Sequence, residues 1–451
     1  MLTLLWTDIA IFGLVIGAVV AVWRSSKKEH LRRPWAKIFN NRMGVVSLTI
    51  VLFFLLVGVL DSVRLQHYEK LPDGDYSEHA KALSVLDIIL TPIRLQVEKT
   101  YSEPFAHTAY AKEMNVDEAG VTQWLYPRLL YGGAHLNNPK SDKQADILLK
   151  IGKGLAHGLL AWLGFIFLLR LTKRNLFKTK LKGVNSGLLT LLVIFCVVGM
   201  IASLGSFYHI LGTDKVGEDV LYQAIKSIRT GLVIGGLTTI VMLPIAIGLG
   251  LMAGFFRGWV DDVIQYLYTT LSSIPGVLLI AAAILMAQVY MANNPALFTT
   301  LEDRADMRLL LLCFILGITS WTGLCRLLRA ETLKIREMDY VVAARALGVG
   351  RFQLLKRHVL PNVMHLVMIT IVLDFSGLVL AEAVLSYINI GVDPSTYSWG
   401  NMINTSRLEM AREPIVWWSL TAAFVFMFTL VLAANLFADA VRDAFDPRYI
   451  E

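Results

Sequence analysis

Asp374 and Glu382 interrupt the apolar run 363–388 of this 451-residue chain. A charge inside hydrocarbon costs on the order of 3 kcal/mol on insertion scales, so both carboxylates must face protein or water. At about 100° per residue, their spacing leaves them about 80° apart around a helix and able to share one broad face. Two chemistries fit: a polar patch in a translocation pathway that accommodates a cationic amine, or hydrogen bonds that tie helices or subunits together. Covalent catalysis finds no support. There is no GxxxxGK[ST] loop to cradle nucleotide phosphates, since GKGLAHG at 152–158 lacks both the spacing and the hydroxyl after lysine, and there is no HExxH or GxSxG. The three cysteines, Cys196, Cys313 and Cys325, sit in apolar stretches without metal-ligand spacing and read as small packed hydrophobes. No catalytic residue, metal ligand or bound cofactor is expected of this chain.

A second stretch, YVVAARALGVGRFQLLKRHVLPN at 340–362, is basic, rich in helix formers and ends near a proline. The residues ahead of it, from 326, predict a charged helix that continues a span through AARAL. Gly348 and Gly350 permit a sharp turn, RFQLLKRHVL predicts a second helical segment, and Pro361 with Asn362 ends that segment or starts the next. Val341, Ala344 and Leu347 on one side, with Phe352, Leu355 and Val359 on the other, are expected to pack on the ends of the spans. Ala343 and Ala344 would leave room for the close approach of another protein. By composition alone, a basic amphipathic segment tracking anionic headgroups fits as well.

The elements that must position these residues follow from hydropathy. With 55% hydrophobic and 17% charged residues, the chain reads as an all-α polytopic membrane protein. Runs able to cross about 30 Å of hydrocarbon predict about nine spans: 4–23, 44–60, 154–170, 187–207, 231–255, 264–290, 308–325, 363–388 and 415–437. The first lacks a basic residue ahead of its apolar core and reads as a retained anchor rather than a signal peptide. The net charge of +7 does not imply nucleic acid, because the basic residues cluster beside the spans. Segment 24–42 carries seven of them and 170–182 carries six, which places both inside; the insert 61–150, with more acids than bases, then falls outside. The segment 340–362 and the C-terminus fall inside. Pro244 and Pro275 are expected to kink their spans.

The 340–362 stretch resembles the EAA loop of the permease subunits of ATP-binding-cassette importers, and specifically the dipeptide/oligopeptide/nickel family. LGTDKVGEDVLYQAIKSIRTGLVIG (211–235), GLGLMAGFFRGWVDDVIQYLYTTLSSIPGVLLI (248–280), LAEAVLSYINIGVDPSTYSWGNMI (380–403) and NLFADAVRDAFDPR (435–448) are similar to further segments of that family, in order. The resemblance runs from about residue 187 to the end and is strongest to the C-type of the two paired permeases. Departures are Val342 in place of the loop's glutamate, LSYINIG in place of LSFLGLG, and Glu218 in place of an arginine.

The resemblance implies that residues 187–451 form a type I importer core of six spans with a cytoplasmic coupling loop at about 326–362. Residues 1–186 would then be an extension with three spans and a periplasmic insert. It also implies coupling to the ATPase through Ala343, Ala344, Arg345, Gly348 and Pro361, with Pro361 marking the end of the docking element and Arg345 facing either the ATPase or lipid phosphate. The implied partners are a second homologous permease, two cassette ATPases that hold ATP and Mg, a periplasmic substrate-binding protein and membrane lipid, at a bacterial inner membrane. The cargo expected from the family is a peptide or modified peptide. Two other readings remain open at this level: an ion-coupled secondary transporter, resting on Asp374, and a structural or assembly membrane protein.

Overall fold

The computed structural model describes residues 2–3, 5–26, 29–67, 81–116, 122–172, 182–295 and 300–445. Residues 71–80 (LPDGDYSEHA, whose proline, glycine and aspartates read as turns), most of the basic cluster 170–182 and the DPRYIE tail, with the end of NLFADAVRDAFDPR, lie outside the described residues.

Two compact units are drawn from discontinuous stretches of chain. The first comprises Met1–Leu4, Phe39–Thr230 and Tyr397–Leu430. Its membrane part contains α3 (Arg42–Ser62), α6 (Pro139–Thr172) and α7 (Lys182–Leu204). Asn41 caps α3, its side chain accepting from the Met43 amide at 3.0 Å. Glycines bring α6 and α7 backbone to backbone: a Cβ on Gly158 would meet the Phe195 carbonyl oxygen at 2.5 Å, and one on Gly199 the Gly154 carbonyl oxygen at 2.4 Å. Two small antiparallel sheets form around the insert between α3 and α6, the first of them joined by a strand from the start of the chain. One has the order β1 (Leu2–Thr3), β2 (Arg64–His67), β3 (Lys81–Ser84); the other is the ribbon of β4 (Glu113–Val116) and β5 (Thr122–Leu125). Two short helices, α4 (Val85–Ile89) and α5 (Thr91–Arg94), follow β3, with Ser84 and Asp87 forming a capping box at the start of α4. α16 (Trp399–Glu409) and the first part of α17 (Trp418–Phe445) complete this unit.

The second unit comprises Leu5–Ile38, Gly231–Thr396 and Val431–Glu451. Helix α1 (Trp6–Ser26) is pinned to α11 (Leu301–Ser320) by Thr7, whose hydroxyl and amide both donate to Asp306. The amphipathic α2 (Glu29–Asn40) lays Ile38 and Trp35 against Val441, Ala444 and Phe445 of α17. The core of the unit joins α8 (Val220–Phe256, from Gly231 on), α9 (Trp259–Ser273), α12 (Thr322–Arg336) and α15 (Leu360–Tyr387) around Met242, Leu251, Phe255, Leu328 and Val363.

Among the described residues, eight helices are long and apolar enough to cross a membrane, and α1 adds the shorter apolar stretch Trp6–Gly17. The span expected at 264–290 is instead two helices, α9 and α10 (Gly276–Asn293), broken at Ile274 and Pro275. The break has a local cause: a residue ahead of proline is pushed out of the helical region, and Ile274 sits at φ −87°, ψ 131°. Pro244, in contrast, lies inside the unbroken α8.

Candidate functional site

The basic segment of the second unit folds as two helical pieces around a glycine. α13 (Asp339–Ala346) ends in a Schellman arrangement, with the Val349 amide donating to the Ala344 carbonyl at 3.2 Å and the Gly348 amide to the Arg345 carbonyl at 3.0 Å. That closure requires a left-handed residue, and Gly348 has φ +82°. Gly350 does not use glycine's freedom: at φ −61° it precedes α14 (Arg351–Leu354) as an ordinary extended residue. A π turn, Leu355–Val359, follows α14 and runs directly into α15.

Of the two alternatives the sequence left for Pro361, ending the second helical segment or starting the next element, the structure has the second. Pro361 occupies the first turn of α15, within a continuous helical stretch Arg351–Tyr387. A proline ring in a regular helix presses on the carbonyl four residues back and leaves one acceptor without a donor; the wider π turn, in which the Leu360 amide donates to the Leu355 carbonyl, relieves that crowding. Asn362 ties the base of the segment together, its Nδ2 donating to the Tyr340 hydroxyl at 3.0 Å and to the His358 carbonyl at 2.6 Å.

Val341, Leu354, Leu355 and Val359 are buried in the core of the unit, and Ala344 and Val349 pack against it. Leu347 and Phe352, expected to pack with them, point the other way: they are 85% and 80% exposed. The α13 C-terminus and the glycine turn set this direction, because Leu347 is spent on the helix cap and Phe352 lies on the α14 face opposite Leu354. Ala343, Arg345, Gly348 and Arg351 are exposed beside them, with Val342 partly so. The outcome is an apolar knob with a basic rim, a surface that water disfavours and a protein groove would cover.

The in-span acids are not brought together. Glu382 is 2% exposed and accepts a hydrogen bond from the Ser386 hydroxyl at 2.7 Å, one turn on. Asp374 lies about 12 Å away along the same helix, half-buried, and no described residue hydrogen-bonds or ion-pairs with its side chain. One turn-neighbour, Ser376, donates to Asn435 Oδ1 at 2.7 Å and so links α15 to α17.

The first unit holds a polar cluster that sequence reasoning missed. His209 is fully buried, with Nδ1 2.9 Å from Asp219 Oδ2 and Nε2 3.4 Å from Glu98 Oε1. Glu98 also accepts the amides of Leu130, Tyr131 and Gly132 at 2.8, 2.8 and 3.1 Å. Asp219 in turn caps α8, accepting the Leu221 and Tyr222 amides. Burial works against charge on both partners, yet the hydrogen bonds and mutual attraction outweigh it: Glu98 is held down to about 2 and His209 pushed up to about 9. The imidazole is thus doubly protonated and clamps the insert to the segment ahead of α8. Gly217, at φ +81°, allows this approach, since a Cβ there would lie 1.8 Å from the Glu98 carbonyl oxygen. Beside it, Lys226 pairs with Asp61 at 2.5 Å and Asp87 at 2.9 Å. These partners are separated by up to 165 residues in the chain, and only the LGTD-like segment containing Asp219 hinted at any of them.

Residues 246–451 match the family described as binding-protein-dependent transport system inner membrane component. Among curated proteins, the chain is 29% identical to the dipeptide transport system permease protein of Lactococcus lactis subsp. cremoris over 54% of this chain and 65% of that protein. It is 30% identical to the glutathione transport system permease protein of Pectobacterium atrosepticum over 53% of this chain and 73% of that one. It is 29% identical to the oligopeptide transport system permease protein of Mycobacterium tuberculosis over 53% and 76%. The family match takes in the whole 340–362 segment and both in-span acids, and the relatives share enough sequence over enough of their own length that the chain belongs to the binding-protein-dependent transport system inner membrane component family.

Proposed function

We propose that this chain is a permease subunit of an ATP-driven importer for peptides or modified peptides, and that its 340–362 segment is the element through which ATPase motion reaches the spans. The observation that carries this reading is the outward direction of Leu347 and Phe352 at a tip whose other face is bonded into the core of the unit. Such a tip transmits force: a partner that grips the knob moves α13 and α14, and the uninterrupted stretch Arg351–Tyr387 carries that motion into the membrane. Because Val342 stands where the family has glutamate, apolar docking supplies the contact, with Arg345 and Arg351 at its rim. The cargo class comes from what the relatives' names say they transport.

The partners on this reading are a second permease, two ATPases that hold ATP and Mg, and a substrate-binding protein outside an inner membrane. Residues 187–451 serve as the transport core, and 1–186 as an extension. Asp374, half-buried and without a described partner, is better placed than Glu382 to meet cargo in the pathway, since Glu382 is satisfied within its own helix.

The test is uptake of labelled short peptides into vesicles containing the whole assembly, with and without ATP, for the native chain and for Leu347→Asp with Phe352→Asp. ATP-dependent uptake lost in the double variant supports the reading. Native uptake that proceeds without ATP, or that survives the double substitution, overturns it.

A further inference from the structure

The helical stretch α4–α5, Val85–Arg94, is inside out by the standards of a segment in water. Its acidic side chain points inward: Asp87 is 7% exposed, pairs with Lys226 at 2.9 Å and accepts from the Tyr222 hydroxyl at 2.7 Å. Thr91 is folded back on the same helix, donating to the Asp87 carbonyl at 3.0 Å. The outward face is Ile88, Ile89, Pro92 and Leu95, all exposed, with Leu95 at 61%. These positions follow the three-and-four spacing of one helical face, and none carries a polar side chain. A surface helix facing water shows the reverse arrangement, with the polar groups outside.

The same stretch is pinned to the ends of three spans. Asp61, which shares Lys226 with Asp87, lies in the last turn of α3. Ile93 sits against Gly205 just beyond α7, and Gln96 Nε2 donates to the Ser206 carbonyl at 2.9 Å. Tyr222 and Lys226 lie in the first two turns of α8. α4–α5 is thus level with the span ends, where hydrocarbon gives way to headgroups. The two spans it is pinned to at α3 and α7 likewise carry exposed apolar side chains, Leu52 and Leu56 on α3 and Leu189, Val193 and Val197 on α7.

We infer that α4–α5 is a membrane-embedded hook, whose Ile88, Ile89, Pro92 and Leu95 face inserts among the acyl chains of the leaflet at that end of the spans. Lys226, held between Asp61 and Asp87, fixes the hook from behind and keeps all three charges out of the lipid. The insert therefore begins inside the bilayer rather than beyond it, and the ribbon and turns that follow are built outward from a foothold in lipid. This inference requires only that the neighbouring helices span a membrane, and it stands or falls separately from the transport reading.

Nitroxide accessibility tests it. Single cysteines replace Ile88, Ile89 or Leu95 in a chain carrying Cys196→Ala, Cys313→Ala and Cys325→Ala, and the label is studied in lipid nanodiscs with the full assembly. Leu56→Cys supplies a lipid-facing reference and Lys99→Cys an aqueous one. Collision with oxygen as high as at position 56, and with a water-soluble nickel chelate several-fold lower than at position 99, is the expected result at all three sites. Nickel-chelate collision matching position 99 overturns the hook, because the face is then in water. Low collision with both reagents also overturns it, because another protein then covers the face. Since the labelled residues are exposed, the label does not disturb the fold, and retained pairing of Lys226 is checked by comparing the thermal stability of each labelled chain with that of the cysteine-free parent.

Discussion

Gly348 carries a conformational requirement that its neighbour Gly350 does not, although both look like the same turn signal in the sequence. A side chain at φ +82° costs roughly 1–2 kcal/mol, whereas Gly350 has ordinary angles and open space around it. Gly348→Ala is expected to lower ATP-dependent uptake severalfold and Gly350→Ala to leave it unchanged; transport assays on the two variants at matched expression decide the point. Leu347→Asp with Phe352→Asp tests the opposite quality, since both side chains are exposed in this chain. The double variant should stay within about 0.5 kcal/mol of native stability yet fail to co-purify ATPase subunits, read by pull-down in mild detergent. His209 makes a third residue-scale prediction. Its folded value of about 9 lies above the ordinary histidine value, so its contribution is complete below about pH 6.5 and fades as pH rises through 9. Glu98, held down to about 2, contributes fully above about pH 4.5 and loses hold only as pH falls toward 2. Amide exchange at Leu130, Tyr131 and Gly132, corrected for the intrinsic rate, should therefore lose protection between pH 7 and 9.5 and keep it between pH 5 and 6.5. His209→Gln should abolish that dependence.

Among the elements, the α6–α7 hairpin is held by close backbone approach and α13–α14 by a glycine cap. Gly158→Leu would drive a side chain into the Phe195 carbonyl and the Cys196 backbone, at 2.5 and 2.7 Å from its Cβ alone, and is expected to destabilise the chain by at least about 1–3 kcal/mol. Gly152→Ala and Gly164→Ala, with open space, serve as neutral comparisons in the same thermal unfolding assay. The helices themselves were legible because apolar runs of this length admit few alternatives: α3 and α7 lie within about five residues of their expected ends, and α17 starts close to its expected position but runs on to Phe445, well past the expected 437. Hydropathy was blind to the break at Ile274, since the residues on both sides are apolar and only the backbone restriction ahead of Pro275 separates α9 from α10. It was equally blind to the direction of Leu347 and Phe352, because period alone cannot say which apolar residue a cap will turn outward. The sheets β1–β2–β3 and β4–β5 went unread because their strands are only two to four residues long.

For the whole molecule, composition was enough to establish a membrane protein, but the insert's anchorage was out of reach. The pairs Glu98 with His209 and Asp61 with Lys226 join positions 111 and 165 residues apart, and nothing in either local sequence announces the other. Removing the insert between α3 and α6 while retaining the spans is expected to reduce peptide uptake most at limiting substrate, where capture from outside governs the rate. Equal uptake at low and high peptide, at native expression, would show that the insert serves another purpose. The π turn at the foot of α15 bears on how distance is measured along this chain. In a regular helix a step of four residues overshoots a full turn by about 40°, so Leu355, Val359, Val363 and Val367 would drift progressively off a common face. All four are nevertheless buried, because the wider turn between Leu355 and Val359 takes up part of the overshoot. The knob and the span thus keep separate angular origins: a wheel drawn from Phe352 misplaces Asp374, and a one-residue deletion within 355–359 would reset the orientation of α13 and α14 while leaving the outward-facing pattern of α15 intact.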